Sequence, residues 1–224
     1  MSLIVFHFAG GNKYSTQRIF GDFKNGIFFE MDRNGQGNLN YKINNFIDKL
    51  KNLNVKTDEY IFYGHSMGAL LAYLICQKLQ EQNLPMPKKL VVSGKKAPSI
   101  PREKKISDLS DEEFWEEIVS LGGIPEEILN YPELIDYYLP ILRHDFKLVE
   151  SYQYEKKPKL NIPIDVFYGS EEATKEEMLG WKEETNEEVI ITQMEGNHFF
   201  IFKHVDFFTD YFKNIEKTLI SNYA

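Results

Sequence analysis

The chain has 224 residues, of which 42% are hydrophobic and 27% are charged. These proportions are ordinary for a soluble globular protein, and they provide enough apolar side chains for one domain over residues 1–224. The formal net charge is −8. An acidic surface repels phosphate backbones, which argues against nucleic acid as a partner.

The same overview predicts where the protein resides. No apolar run approaches the roughly 20 residues that span a membrane. Residues 1–7 lack the basic segment and the length of a secretion signal. The single cysteine, Cys76, excludes an internal disulfide and lies in an apolar helical pattern, where it is expected to be a core residue. We therefore expect a cytoplasmic protein that avoids membranes, and a monomer suits this size.

Strand-like and helix-like segments alternate along the chain. Short apolar runs typical of buried strands occur at residues 3–8, 27–31, 60–63, 90–93, 164–168 and 189–193. Helical patterns occur at residues 41–53, 69–80, 174–184 and 207–220. This alternation predicts an α/β fold with a mostly parallel central sheet flanked by helices. In such sheets active sites form at the carboxyl ends of the strands.

One segment interrupts the alternation. Residues 97–142 contain prolines at positions 98, 101, 125, 132 and 140 and two short helical patterns, 111–120 and 132–139. We expect an inserted helical lid here.

The sequence Gly64-His65-Ser66-Met67-Gly68 matches the G-x-S-x-G nucleophile elbow. A strand-like run precedes it and a helix follows, as this motif requires. In that setting the serine hydroxyl stands at a helix N-terminus, where free N–H groups favour developing negative charge. Ser66 is therefore the predicted nucleophile.

A serine nucleophile needs a base, which follows it in the chain order of α/β-hydrolases. Three histidines follow Ser66. His198 lies in a loop between the last strand and the last helix, which is the expected place for the base. His204 already enters the last helix and suits the surface, whereas His144 near the end of the lid could line the substrate. The histidines show no metal-ligand spacing, so we expect no metal.

The acid that orients the base is expected after the strand at 164–168. No aspartate is present there, so Glu172 is the first candidate and Glu171 the second; glutamate is an accepted variant. Asp165, inside the strand, is expected to be structural. For the oxyanion hole we expect the N–H of Met67 and that of Ala9, with Gly10 as the next choice.

Four segments resemble type II thioesterases, the stand-alone editing enzymes of non-ribosomal peptide and polyketide synthesis. They are residues 6–11 (FHFAGG), 63–69 (YGHSMGA), 139–146 (LPILRHDF) and 196–200 (GNHFF). The resemblance implies an α/β-hydrolase fold in which Ser66 and His198 match the nucleophile and the base, and Met67 and Ala9 match the oxyanion donors. Glu172 stands where the family generally has aspartate.

The resemblance also implies a function. The enzyme would hydrolyse stalled acyl or wrong aminoacyl thioesters on the 4′-phosphopantetheine arm of acyl or peptidyl carrier domains. It would need no cofactor of its own, because the arm belongs to the partner. The lid would shape the acyl chamber. A basic cluster could meet an acidic carrier domain or simply be a solvated face; it comprises Lys95, Lys96, Arg102, Lys104 and Lys105.

Two other interpretations remain open at this point. The elbow also suits a carboxylesterase, a lipase or a thioesterase that releases finished fatty acyl chains. A catalytically silent protein that binds carrier domains is a third possibility, against which the serine, histidine and carboxylate argue.

Overall fold

The structure, a computed structural model, describes residues 2–21, 23, 25–33, 37–52, 60–101, 104–124 and 130–221. Six strands form one sheet in the order β2-β1-β3-β4-β5-β6, and all neighbours pair in parallel. The strands are β1 (Ser2–Phe6), β2 (Gly26–Phe29), β3 (Tyr60–His65), β4 (Leu90–Ser93), β5 (Ile164–Gly169) and β6 (Val189–Met194). The prediction of a mostly parallel sheet is confirmed.

Helices cover both faces of this sheet. The described α-helices are α1 (Gln17–Phe20), α2 (Leu39–Asn52), α3 (Met67–Glu81), α4 (Asp111–Ser120), α5 (Pro132–Glu150), α6 (Lys175–Met178) and α7 (Val205–Ser221). In β1, Ile4 and Phe6 join the core that contains α2 and α3, whereas Leu3 and Val5 join the core that contains α1 and α7. Burial on both faces explains why the strand reads as a continuous apolar run.

The segment between β4 and β5 carries α4 and α5 and a small core of its own. Ser110 begins α4 with a capping box, in which Ser110 Oγ accepts the Glu113 N–H and the Glu113 carboxylate accepts the Ser110 N–H. The core of this segment contains Ile106, Phe114, Ile118, Leu142 and Phe146. Helices therefore occupy the region where the lid is predicted.

Helix α5 is longer than the prediction, which ended it at residue 139. It continues through Pro140 to Glu150. A proline inside a helix removes one backbone hydrogen bond. Downstream, Leu142 and Phe146 are buried in the lid core and hold the helix together by packing, which local propensity does not reveal. The predicted lid end at residue 142 consequently falls inside α5.

The segment 174–184, which the sequence predicts to be one helix, is not a continuous α-helix in the structure. It consists of one α-helical turn, α6, capped by Thr174, and a 3₁₀ segment at Leu179–Glu183. Trp181 in this segment is completely buried and donates its indole N–H to the Lys95 carbonyl, 2.9 Å away. Short 3₁₀ segments are common at the ends of α-helices, and Trp181 fixes this one to the core.

None of the described helices is long and apolar enough to cross a bilayer.

Candidate active site

Ser66 lies in a strained turn between β3 and α3. Its backbone angles are φ 56° and ψ −113°, a conformation that costs a non-glycine residue about 1–3 kcal/mol. The flanking glycines are required by close packing. A Cβ on Gly64 would lie 2.2 Å from the Gly68 carbonyl oxygen, and one on Gly68 would lie 2.2 Å from the Phe6 oxygen. The tight turn presents Ser66 at the N-terminus of α3, where it lines a cavity.

The end of β4 supports this turn. The Ser66 N–H donates to the Ser93 carbonyl oxygen at 2.8 Å, so the elbow is tied to the neighbouring strand. This bond satisfies a backbone donor that the strained conformation would otherwise leave without a partner.

His198 and Glu172 form a hydrogen-bonded pair at the same edge of the sheet. His198 Nδ1 lies 2.7 Å from Glu172 Oε2, and their side chains are 15% and 12% exposed. An ionised carboxylate only accepts, so Nδ1 carries the proton and Nε2 is left with a lone pair. Glu172 Oε1 is buried and has no hydrogen-bond partner among the described residues.

The loops that carry these two residues are joined through their backbones. The Glu171 N–H donates to the Gly196 carbonyl at 3.0 Å. The Glu171 side chain is exposed, and the carboxylate that contacts the imidazole belongs to Glu172. Of the two glutamates that the sequence left open as partners of His198, Glu172 contacts the imidazole and Glu171 points to solvent.

The other histidines after Ser66 have different surroundings. His204 lies just before α7, and its Nε2 bonds the Glu195 carbonyl at 2.8 Å. His144 lies in α5, and its Nε2 is buried without a hydrogen-bond partner among the described residues. Neither is among the described residues that line the cavity of Ser66.

The loop after β1 supplies the other wall of the site. Ala9 and Gly10 line the cavity together with Ser66. The Gly10 N–H, however, donates to Asp145 Oδ2 at 2.9 Å and is therefore occupied. Ala9 is left as the first choice of donor from this loop, and Met67 begins α3 directly after Ser66.

A buried ion pair holds this loop. Asp145 has a fully buried side chain and pairs with Arg33, whose guanidinium lies 2.6 Å from Asp145 Oδ2. The same guanidinium donates to the Gly11 carbonyl at 2.7 Å. Sequence analysis assigned no role to either residue. Asp145 lies in the segment 139–146 that carries the family resemblance, but no local pattern marks Arg33.

The cavity beside Ser66 has a volume of about 210 Å³. The segment between β4 and β5 supplies an apolar wall, formed by Ile118, Leu121, Ile124, Tyr138, Leu142 and Phe146. This segment approaches the loop that carries His198, the predicted base, because a Cβ on Gly123 would lie 2.1 Å from the Phe199 ring. An apolar wall of this kind suits a hydrocarbon group.

Two further expectations concern residues outside this cavity. Cys76 is buried inside α3, where desolvation raises the pKa of its thiol well above the usual range, so the structure agrees with a core role. Asp165 in β5 is buried and pairs with Lys89 at 2.8 Å and with the Tyr211 hydroxyl. These contacts agree with a structural carboxylate.

Two lysines of the predicted basic cluster form ion pairs within the chain. Lys96 pairs with Glu177 at 2.6 Å, and Lys104 pairs with Glu117. Arg102 lies outside the described residues. The pairs reduce the positive charge that the cluster offers to a partner.

Comparisons with known proteins agree on one family. The family model described as "Thioesterase domain" matches residues 45–219. The chain is 36% identical over 147 residues to the gramicidin S biosynthesis protein GrsT of Aneurinibacillus migulanus, covering 64% of this chain and 57% of that protein. It is 35% identical over 161 residues to the probable anguibactin biosynthesis thioesterase AngT of Vibrio anguillarum, covering 69% and 64%. The matches therefore span less than two thirds of these relatives' lengths.

A solved structure extends the likeness to nearly the whole chain. RedJ, a thioesterase from the prodiginine biosynthetic pathway of Streptomyces coelicolor, superposes with a TM-score of 0.81 at 29% identity, covering 90% of this chain and 84% of that one. The expected α/β-hydrolase fold is confirmed by this likeness and by the parallel sheet. The chain belongs to the thioesterase family.

Proposed function

We propose that the chain is a type II thioesterase. It hydrolyses stalled acyl or aminoacyl thioesters on the 4′-phosphopantetheine arm of carrier domains in non-ribosomal peptide or polyketide biosynthesis. The observation that carries the proposal is the cavity lined by both Ser66 and His198, whose Nδ1 is 2.7 Å from Glu172 Oε2, together with apolar side chains from the segment between β4 and β5. The names of GrsT, AngT and RedJ support the setting in biosynthesis.

In the first half-reaction His198 Nε2 accepts the Ser66 hydroxyl proton while Ser66 Oγ attacks the thioester carbonyl carbon. Glu172 stabilises the imidazolium that forms. The N–H groups of Ala9 and Met67 stabilise the oxyanion. The carbon–sulfur bond then breaks, the proton passes from His198 to the departing pantetheine sulfur, and an acyl group remains on Ser66.

The second half-reaction repeats these roles with water. His198 takes a proton from a water molecule that attacks the acyl-serine, and it returns the proton to Ser66 Oγ as the carboxylic acid leaves. The chain itself needs no cofactor in this scheme. The carrier domain is the partner, the cytoplasm is the proposed location, and a monomer suffices for the reaction.

The lid of residues 97–142 belongs to this proposal as the wall of the acyl chamber. Ile118, Leu121 and Tyr138 offer apolar surface to an acyl chain. We expect the lid to move away from the base loop to admit the arm, as lids commonly do in enzymes that sequester substrate. Docking of an acidic carrier domain at the basic cluster of Lys95, Lys96, Arg102, Lys104 and Lys105 remains part of the proposal.

The test compares three substrates: acetyl-loaded carrier protein, acetyl-coenzyme A and p-nitrophenyl acetate. We expect the highest kcat/KM for the carrier protein. Ser66→Ala should reduce kcat on the order of 10⁶-fold, since losing the nucleophile disables the whole unit. Ser120→Ala is the matched control, because Ser120 is exposed at the end of α4 and its hydroxyl donates to the Glu117 carbonyl.

Each result separates the candidate functions. A preference for simple esters would favour a carboxylesterase. Palmitoyl-coenzyme A is assayed beside these three substrates, and a higher kcat/KM for it than for acetyl-loaded carrier protein would favour a fatty acyl thioesterase. Binding of carrier protein without turnover by the unmodified enzyme would favour the non-catalytic protein.

A further inference from the structure

His65 precedes Ser66, and its completely buried side chain lies against the proposed base. The ring centroids of His65 and His198 are 4.9 Å apart, and the ring planes meet at 44°. The same imidazole contacts Phe199 in the base loop and Phe8 in the loop after β1, with centroid distances of 5.5 and 5.9 Å. His65 therefore touches both loops that flank Ser66.

A hydrogen bond to Ser93 holds the orientation of this ring. His65 Nδ1 lies 2.9 Å from Ser93 Oγ, which is also 2.9 Å from the Tyr63 hydroxyl. The backbone oxygen of Ser93 accepts the Ser66 N–H. One residue at the end of β4 thus holds the nucleophile through its main chain and His65 through its side chain.

Gly94 provides the space for both imidazoles. A Cβ there would lie 2.5 Å from His65 Cε1 and 3.2 Å from His198 Cε1, and the residue has a φ of +61°. Both rings consequently rest against the same stretch of backbone. Their separation is set by a rigid strand end, which is how well-ordered sites keep reacting groups in place.

His65 is uncharged at neutral pH. Burial lowers its pKa well below the ordinary value, and the neighbouring His198 lowers it further. A neutral neighbour matters here, because an imidazolium at this distance would oppose the positive charge that His198 acquires during proton transfer.

We propose that His65 is a positioning residue for His198: its ring, packed against Gly94 and the His198 imidazole, confines the base to the orientation in which Nδ1 lies 2.7 Å from Glu172 Oε2. The proposal rests on the proposed function. It assigns His65 no contact with substrate and no proton transfer. The sequence motif leaves this position open to any residue, so the assignment comes from the contacts of the side chain.

A fluorophosphonate probe tests this without knowledge of the natural acyl group. Ser66 Oγ forms a bond to phosphorus, the phosphorus–fluorine bond breaks with loss of fluoride, and His198 takes the hydroxyl proton. We expect His65→Gln to slow labelling roughly tenfold and to lower kcat for a thioester with little change in KM, because small misplacements of a reacting group cost up to about 100-fold. His65→Phe, which keeps a ring but loses the bond to Ser93, should retain at least a third of the labelling rate.

The control is Leu79→Ala, a cavity in the buried part of α3 that lowers stability without touching the two loops. It should label at the rate of the unmodified protein. Normal labelling of His65→Gln, or a loss with His65→Phe as large as with His65→Gln, would overturn the positioning role. If the unmodified protein itself failed to label, the proposed function would be wrong instead.

Discussion

Two carboxylates flank Ser66, and they are used in different ways. Asp145 lies on the β1 side of the sheet, where it binds Arg33 and the Gly10 N–H with a fully buried side chain. Glu172 lies on the β5 side, where Oε2 binds His198 and Oε1 has no partner among the described residues. Strand β3, which ends directly before Ser66, lies between β1 and β5 in the sheet.

The difference separates a structural carboxylate from one suited to catalysis. The oxygens of Asp145 are saturated by a guanidinium and a backbone donor, so this residue stabilises a loop. Glu172 directs its charge at a single imidazole, which can then gain and lose a proton. A buried oxygen without a partner costs stability, and such costs are common at functional sites.

The largest effect expected from this comparison is on turnover through Glu172. Glu172→Gln replaces an obligatory acceptor by an amide that can donate to Nδ1, and the proton then moves to Nε2, where it blocks the general base. We expect kcat to fall on the order of 10⁴-fold. Glu171→Gln is the matched control, and its exposed side chain should change kcat by no more than about twofold. Steady-state kinetics with a carrier-bound thioester measures both, and the reverse ranking would transfer the role to Glu171.

The next effect is on stability through Asp145. Asp145→Asn leaves the Arg33 guanidinium without its buried counter-ion, so we expect the free energy of unfolding to fall by about 3–5 kcal/mol. Asp145 is not among the described residues that line the cavity, but it holds Gly10 beside the proposed oxyanion donor Ala9, so kcat of the folded fraction should fall less than in Glu172→Gln. Urea denaturation provides the measurement.

Asp111→Asn is the matched control for this variant. It breaks a 2.6 Å pair with Arg143 in which Asp111 is 70% exposed, and it should cost less than about 1 kcal/mol. Equal losses in the two variants would contradict the structural role given to the buried pair.

The smallest effect concerns the pH dependence of stability, and it compares two buried histidines, His7 after β1 and His65 at the end of β3. Burial lowers the pKa of His7 on the β1 side and of His65 on the β3 side. The unfolded chain therefore binds protons before the folded chain does. Stability is complete above the unfolded pKa of about 6.5 and falls below it, by up to about 1.4 kcal/mol per pH unit for each histidine.

Urea denaturation between pH 7.5 and pH 5.5 checks this prediction. His7→Gln should remove the contribution of one histidine from the slope, and His65→Gln that of the other. A slope that neither variant changes would show that other groups carry the acid sensitivity.

Much of this architecture could be predicted from sequence because its signals are local. The strands read as continuous apolar runs since both faces of the sheet are covered. The elbow is recognisable because only glycine tolerates the close contacts at Gly64 and Gly68. The course of α5 past Pro140 could not be predicted in this way, since contacts with distant parts of the chain outweigh the local helix-breaking tendency.

The residues of the site also fall into those that the sequence predicts and those that only the folded structure reveals. Ser66 and His198 follow from motif and chain order, and the sequence narrows the acid to two adjacent glutamates. Only the tertiary structure decides which of these glutamates contacts the imidazole, namely Glu172. It also pairs Arg33 with Asp145, 112 positions away in the sequence, and packs the His65 ring against that of His198. The physical reason is that motifs and periodicity record short-range backbone constraints. Ion pairs and ring contacts depend on which loops the folded sheet brings together at its edge.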